Sequence, residues 1–128
     1  MEYISTNNIE RTALQLHDAL LNDIKIQYQK KKICLSLILP VDSFKRDHEE
    51  KAILLIKEMI YFRLSGNEPW GMGSYIFSIE GKIYKKEFIK ITLLLNSGDK
   101  IIFCGKEIYM YTEKDREFSE SVEWATLS

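Results

Sequence analysis

From Phe88 to Cys104 the chain alternates with a regularity that few folds can use. In FIKITLLL, residues Ile89, Ile91, Leu93 and Leu95 share one face, and KIIFCG resumes the pattern after Asn96-Ser97-Gly98-Asp99. A two-residue period is that of a strand with one face on a core, and a short polar, glycine-containing break between two such runs is the signature of a β-hairpin. Residues 88–105 are therefore expected to form an antiparallel pair, and the rest of the chain has to supply the sheet that this pair belongs to.

A second hairpin is legible upstream. In DIKIQYQ, Ile24, Ile26 and Tyr28 alternate with polar residues, and after Lys30-Lys31-Lys32 the run ICLSLILP places Ile33, Leu35, Leu37 and Leu39 on one face. Pro40 lacks the donor that a ladder needs and ends that strand, so the charged VDSFKRDHEE is expected to be a surface connection. SYIFSIE reads as another strand with Tyr75, Phe77 and Ile79 on one side, and EIYMYTE as one more.

The run 51–65 has two readings. Ala52, Leu55, Ile56, Met59 and Ile60 fit a helical face, whereas Leu54, Ile56, Ile60, Phe62 and Leu64 fit alternation interrupted at Glu58. The β-branched and aromatic content of its second half favours two strand segments joined at a bulge near Lys57-Glu58. At the N-terminal end Ile9, Ala13, Leu16 and Leu20 recur at helical spacing, with Asn7 and Glu10 placed as a capping pair for a short helix. The expected fold class is all-β, an antiparallel sandwich or half-barrel of about seven strands with a short N-terminal helix. The alternative is α+β with a helix at 51–64.

All 128 residues read as a single globular domain, with 113–128 as an acidic C-terminal tail. Hydrophobic residues make up 45% of the chain against 29% charged, a balance that supports a core rather than disorder. The start, MEYISTNNIERTAL, carries charges where a signal peptide needs an apolar run, and no stretch approaches the ~20 apolar residues of a membrane helix. Cys34 and Cys104 sit inside strand-like apolar runs, which suits buried free thiols in a reducing compartment. A cytoplasmic location with no membrane partner is expected.

Each candidate for chemistry has a structural counterpart. His17 beside Asp18 resembles a base with its orienting partner, but no nucleophile setting stands near it, and a structural role is expected, with His17 or Asp18 hydrogen-bonding backbone at the start of the sheet. Asp42, Asp47, His48, Glu49 and Glu50 offer metal-ligand types without a metal-site spacing, interleaved with Lys45, Arg46 and Lys51, as a solvated loop would be. Gly71 and Gly73 lack the lysine and hydroxyl of a phosphate loop. Lys30, Lys31, Lys32, Lys82, Lys85 and Lys86 lie in or near turns beside Tyr28 and Tyr84, but 18 basic against 19 acidic residues argues against a nucleic-acid partner. No catalytic residue, metal site or cofactor is assigned.

Two segments admit a protein partner beside a structural reading, in which Trp70 and Met72 plug the end of the sheet and the C-terminal stretch is a frayed tail or docks on its own domain. Trp70 and Met72 lie in the turn-rich SGNEPWGMGS, and aromatic anchors of this kind are frequent at interfaces. The tail places Glu113, Asp115, Glu117, Glu120 and Glu123 against Lys114 and Arg116, a net of −3, with Phe118, Val122 and Trp124 among them. Carboxylates steering and aromatics burying is a pattern suited to a basic partner surface.

Three segments taken together, LHDALLNDIKI, EPWGMGSYIFSI and LNSGDKIIF, resemble the small β-rich immunity proteins and related proteins that accompany bacterial polymorphic toxins. The resemblance spans most of the chain. It implies a non-enzymatic protein that neutralises a cognate toxin by direct binding, and it implies structural roles for His17, Asp18, Trp70 and Gly71. The other reading of the residues is a small-ligand or lipid-binding β-domain, in which aromatic-rich strands enclose a pocket.

Overall fold

The computed structural model describes residues 2–40, 50–65 and 75–113. Within them the order is β1 (Glu2–Tyr3), α1 (Ile9–Leu16), β2 (Leu20–Gln27), β3 (Lys32–Leu39), β4 (Glu50–Leu64), β5 (Ile76–Tyr84), β6 (Phe88–Leu95) and β7 (Lys100–Thr112). The strands form one antiparallel sheet in the order β2-β3-β4-β7-β6-β5, with β1 added beside β7. The described residues are all-β with one short helix, an antiparallel half-barrel, as the alternation implies.

The two long strands are its spine. β4 pairs with β3 from Glu50 to Ile56 and with β7 from Ala52 to Leu64. β7 in turn pairs with β6 from Lys100 to Gly105, and with β1 at Tyr109 and Met110. The run 51–65 is thus strand and not helix. Glu58 takes a left-handed φ of 52°, and the register shifts between Met59 and Tyr61. An extra residue bends a strand and tightens its twist, which lets β4 serve two parts of a curved sheet.

Two further expectations change in detail. EIYMYT is not a separate strand but the continuation of β7. The helix starts after Asn8 rather than Asn7, and no side chain caps it. Asn8 instead accepts from Ser5 N at 2.8 Å and donates to the Tyr3 carbonyl at 2.7 Å, tying β1 to the helix start.

The concave face carries the main core: Leu35 and Leu37 from β3, Leu54 and Ile56 from β4, Leu93 from β6, and Ile101, Phe103 and Ile108 from β7. Each such side chain, fully buried, contributes about 1.5–3 kcal/mol relative to exposure. The opposite face of β3, β4 and β7 holds a smaller buried cluster of Cys34, Ile53, Leu55 and Tyr111. Both cysteines are buried free thiols.

The half-barrel is drawn together at one end. Asp18 N donates to the Ile76 carbonyl and Ile76 N to the Ala19 carbonyl, both at 2.9 Å, and Leu20 bridges to Tyr75. This seam sets the start of β2 against the start of β5, and α1, just before it in the chain, packs along β5. Gly81 permits that approach: a Cβ there would lie 3.0 Å from Ile9 Cγ1.

Candidate functional site

His17 and Asp18 sit at this seam. His17 Nδ1 lies 2.9 Å from the Phe77 carbonyl, which can only accept, so Nδ1 carries the proton. The imidazole also meets the Phe77 ring edge to face at 6.2 Å. Asp18 adopts a left-handed φ of 66° while its N–H joins the seam, and its carboxylate lies 3.7 Å from His17 Nε2. Both side chains are exposed. His17 meets the backbone through its ring and Asp18 through its own N–H, both where the sheet closes.

β5 ends the strand path, and beyond the seam its outer edge is unpaired among the described residues. Between it and α1 runs a groove of about 630 Å³, lined by Ile9, Glu10, Ala13 and Leu14 of α1 and by residues 79–82 of β5, Glu80 among them. On these two elements three large apolar side chains are turned to solvent: Leu14 is 81% exposed, Ile83 63% and Phe77 59%. Leu14 borders the groove, Ile83 shares the β5 face of Ile79 and Gly81 beyond it, and Phe77 is turned off that face, all three on elements beside an open strand edge.

The local sequence explains how they come to face outward. In SYIFSIE strict alternation sets Phe77 with Ile79, yet the register against β6 shifts between Ile76 and Ser78. Ile76 and Ile79 are therefore the buried pair and Phe77 is ejected. Leu14 falls between the buried Thr12 and Leu16 on the outer side of the helix. Ile83 keeps the parity of Ile79 and Gly81 but lies near the end of the strand, beyond the cover of the helix.

A second groove, of about 430 Å³, opens between β2 and the far half of β4, where Leu21, Ile24, Ile26, Phe62 and Leu64 form most of its wall. The main core approaches the surface here.

Of the residues expected to bind a partner, Glu113 lies within the described residues, and its Oε1 accepts from Lys51 N at 2.9 Å at the start of β4. That bond ties the end of β7 to its neighbouring strand. Trp70, Met72, Asp115, Glu117, Glu120, Glu123 and Trp124 lie outside the described residues, as do Gly71, Gly73, Asp42, Asp47, His48 and Glu49. Among the described residues no group of three or more His, Cys, Asp or Glu could hold a metal ion, and no helix is long and apolar enough to cross a membrane. Sequence reasoning missed Leu14, Phe77 and Ile83, and the only signal for them was helical position in the first case and a strand end in the last.

Comparison of the chain with protein-family models, with curated proteins and with solved structures finds no match.

Proposed function

We propose that this chain is a non-enzymatic binding protein, most concretely an immunity protein that neutralises a cognate bacterial toxin in the cytoplasm by direct binding. The observation that supports this reading is the exposure of Leu14 on α1 and of Phe77 and Ile83 on β5, a strand whose outer edge is open beyond the seam among the described residues. A partner that covers these side chains removes apolar area from water, and one that presents an extended segment can also pair with the β5 backbone. The resemblance of LHDALLNDIKI, EPWGMGSYIFSI and LNSGDKIIF to immunity proteins supplies the class of partner.

Co-expression with a candidate toxin gene from the neighbourhood of this one is the test. Protection of the host, together with co-purification of the two chains, is the expected result. Neither protection nor association would end the proposal.

A second reading, a small-ligand or lipid-binding domain, is favoured by the apolar groove at Ile24, Ile26, Phe62 and Leu64. Saturable binding of a fatty acid, weakened by Phe62→Asp, would support it over the first.

A further inference from the structure

The register of the sheet gathers cations that are scattered along the sequence. Reading across β4, β7, β6 and β5, Tyr61 stands opposite Cys104, Cys104 opposite Lys90, and Lys90 opposite Lys82. Arg63 stands in the next row on the same face, opposite Ile102. Like charges directly opposite one another weaken a strand pair, and Lys82 against Lys90 is such a pair. The hairpin of β5 and β6, residues 76–95, carries four lysines against two glutamates, a net of +2. The chain's overall balance conceals this.

Beside part of this row lies a hollow of about 370 Å³, lined by Tyr61, Phe62, Arg63, Tyr84, Lys90 and Ile102 but not by Lys82. Among the described residues no carboxylate lines it. Arg63, Lys82 and Lys90 make no salt bridge among the described residues, whereas nearby Lys106 has both Glu58 and Glu87 within 4 Å. Tyr61 and Tyr84 meet edge to face at 5.9 Å above it, and the Lys85 ammonium sits 5.4 Å from the Tyr84 ring.

This surface goes beyond the partner-binding reading above and does not depend on it. The geometry points to a binding site for a nucleotide unit, with its phosphate held by Arg63 and Lys90 and its base against the Tyr61–Tyr84 pair. Guanidinium, ammonium and phenol groups are the donors that hold phosphate oxygens, and an edge-to-face pair leaves ring faces on which a base stacks. The hollow has room for a single such unit. Free nucleotide and one residue of a single strand share this chemistry.

The test is calorimetric titration of the full chain with uridine monophosphate, ATP, a twelve-residue oligouridylate and, as the contrasting class, an oligoglutamate peptide. Saturable binding of at least one nucleotide probe is expected, with Kd raised tenfold or more in Arg63→Gln and in Lys90→Gln. Lys51→Gln, an exposed lysine outside this hollow, should leave it unchanged. A Kd for the oligouridylate at least tenfold below that of either mononucleotide assigns the site to a strand, and otherwise it belongs to free nucleotide; both support the site. Circular dichroism establishes that each variant is folded, and Lys82→Gln replaces any that is not. No saturable nucleotide binding, binding indifferent to these substitutions, or binding of the acidic peptide alone would overturn the proposal.

Discussion

Tyr61 on β4 and Tyr84 on β5 touch edge to face at 5.9 Å although β7 and β6 run between their strands. Two side chains leaning toward each other over two intervening strands cover what lies beneath, and Cys104, opposite Tyr61 in the register, is wholly buried. Burial pushes its thiol pKa up, while the Lys90 ammonium pulls it the other way. A double-mutant cycle of Tyr61→Ala and Tyr84→Ala, read by urea denaturation, should give a coupling of about 0.5–1.5 kcal/mol. Tyr61→Ala should also speed alkylation of Cys104. Additive effects and unchanged labelling would show that the rings touch without acting on each other.

Cys34 behaves differently with pH. Burial, helped by Asp23 and opposed by Lys25, pushes its thiol from 9.0 up to about 12. A raised pKa favours the folded state fully below the unfolded value and loses that contribution as pH rises through the folded one. Between pH 9 and 12 the unfolded thiol ionises first, so this group should cost about 1.4 kcal/mol of stability per pH unit. The difference between wild type and Cys34→Ala, followed by denaturation across that window, should show this slope, and parallel curves would refute it.

The bend in β4 requires Gly105. A Cβ there would stand 2.6 Å from Ile56 Cγ2 and 3.0 Å from the Lys57 carbonyl, so backbone as well as side chain must move. Gly105→Ala should destabilise by about 1–3 kcal/mol, as overpacking does. Gly81→Ala, whose nearest contact is the Ile9 side chain at 3.0 Å, should cost less because a helix side chain can give way. Thermal denaturation of the two variants decides the order.

Hairpins built on strict alternation were legible from residues alone: both form, with Ile24 opposite Leu35 and Ile26 opposite Ile33 in the first, and Ile91 opposite Phe103 and Leu93 opposite Ile101 in the second. The run 51–65 was ambiguous for a physical reason. Ile53 and Leu55 are buried in the second cluster while Leu54 and Ile56 are buried in the main one, so burial on both faces hides the two-residue period. The register shift past Glu58 then breaks what alternation remains. At the candidate surface, Phe77 faces solvent because of a shift between Ile76 and Ser78 that no composition rule announces. The exposure of Ile83 depends on where the helix stops covering β5, a tertiary fact. The meeting of Tyr61 and Tyr84 depends on strand order, which short turns do not specify.

The seam separates a structural from a chemical role for His17 and Asp18. At the φ of 66° held by Asp18, glycine is unstrained and a β-branched residue is not. Asp18→Gly should therefore match or exceed wild-type stability, Asp18→Val should lose about 1–3 kcal/mol, and Asp18→Gly should keep full partner binding. Loss of function in the stable glycine variant would instead make the carboxylate a working group.

We propose α1 and β5 as the face that meets a partner, and one comparison tests it most directly: calorimetry of the purified chain and its Ile83→Asp variant against a candidate toxin domain taken from a neighbouring gene. Ile83 is exposed, so the variant should fold as wild type does. Saturable binding by wild type and a Kd at least tenfold higher for the variant, about 1.4 kcal/mol, is the expected result. Absent binding, or equal affinity for the two, would contradict the account.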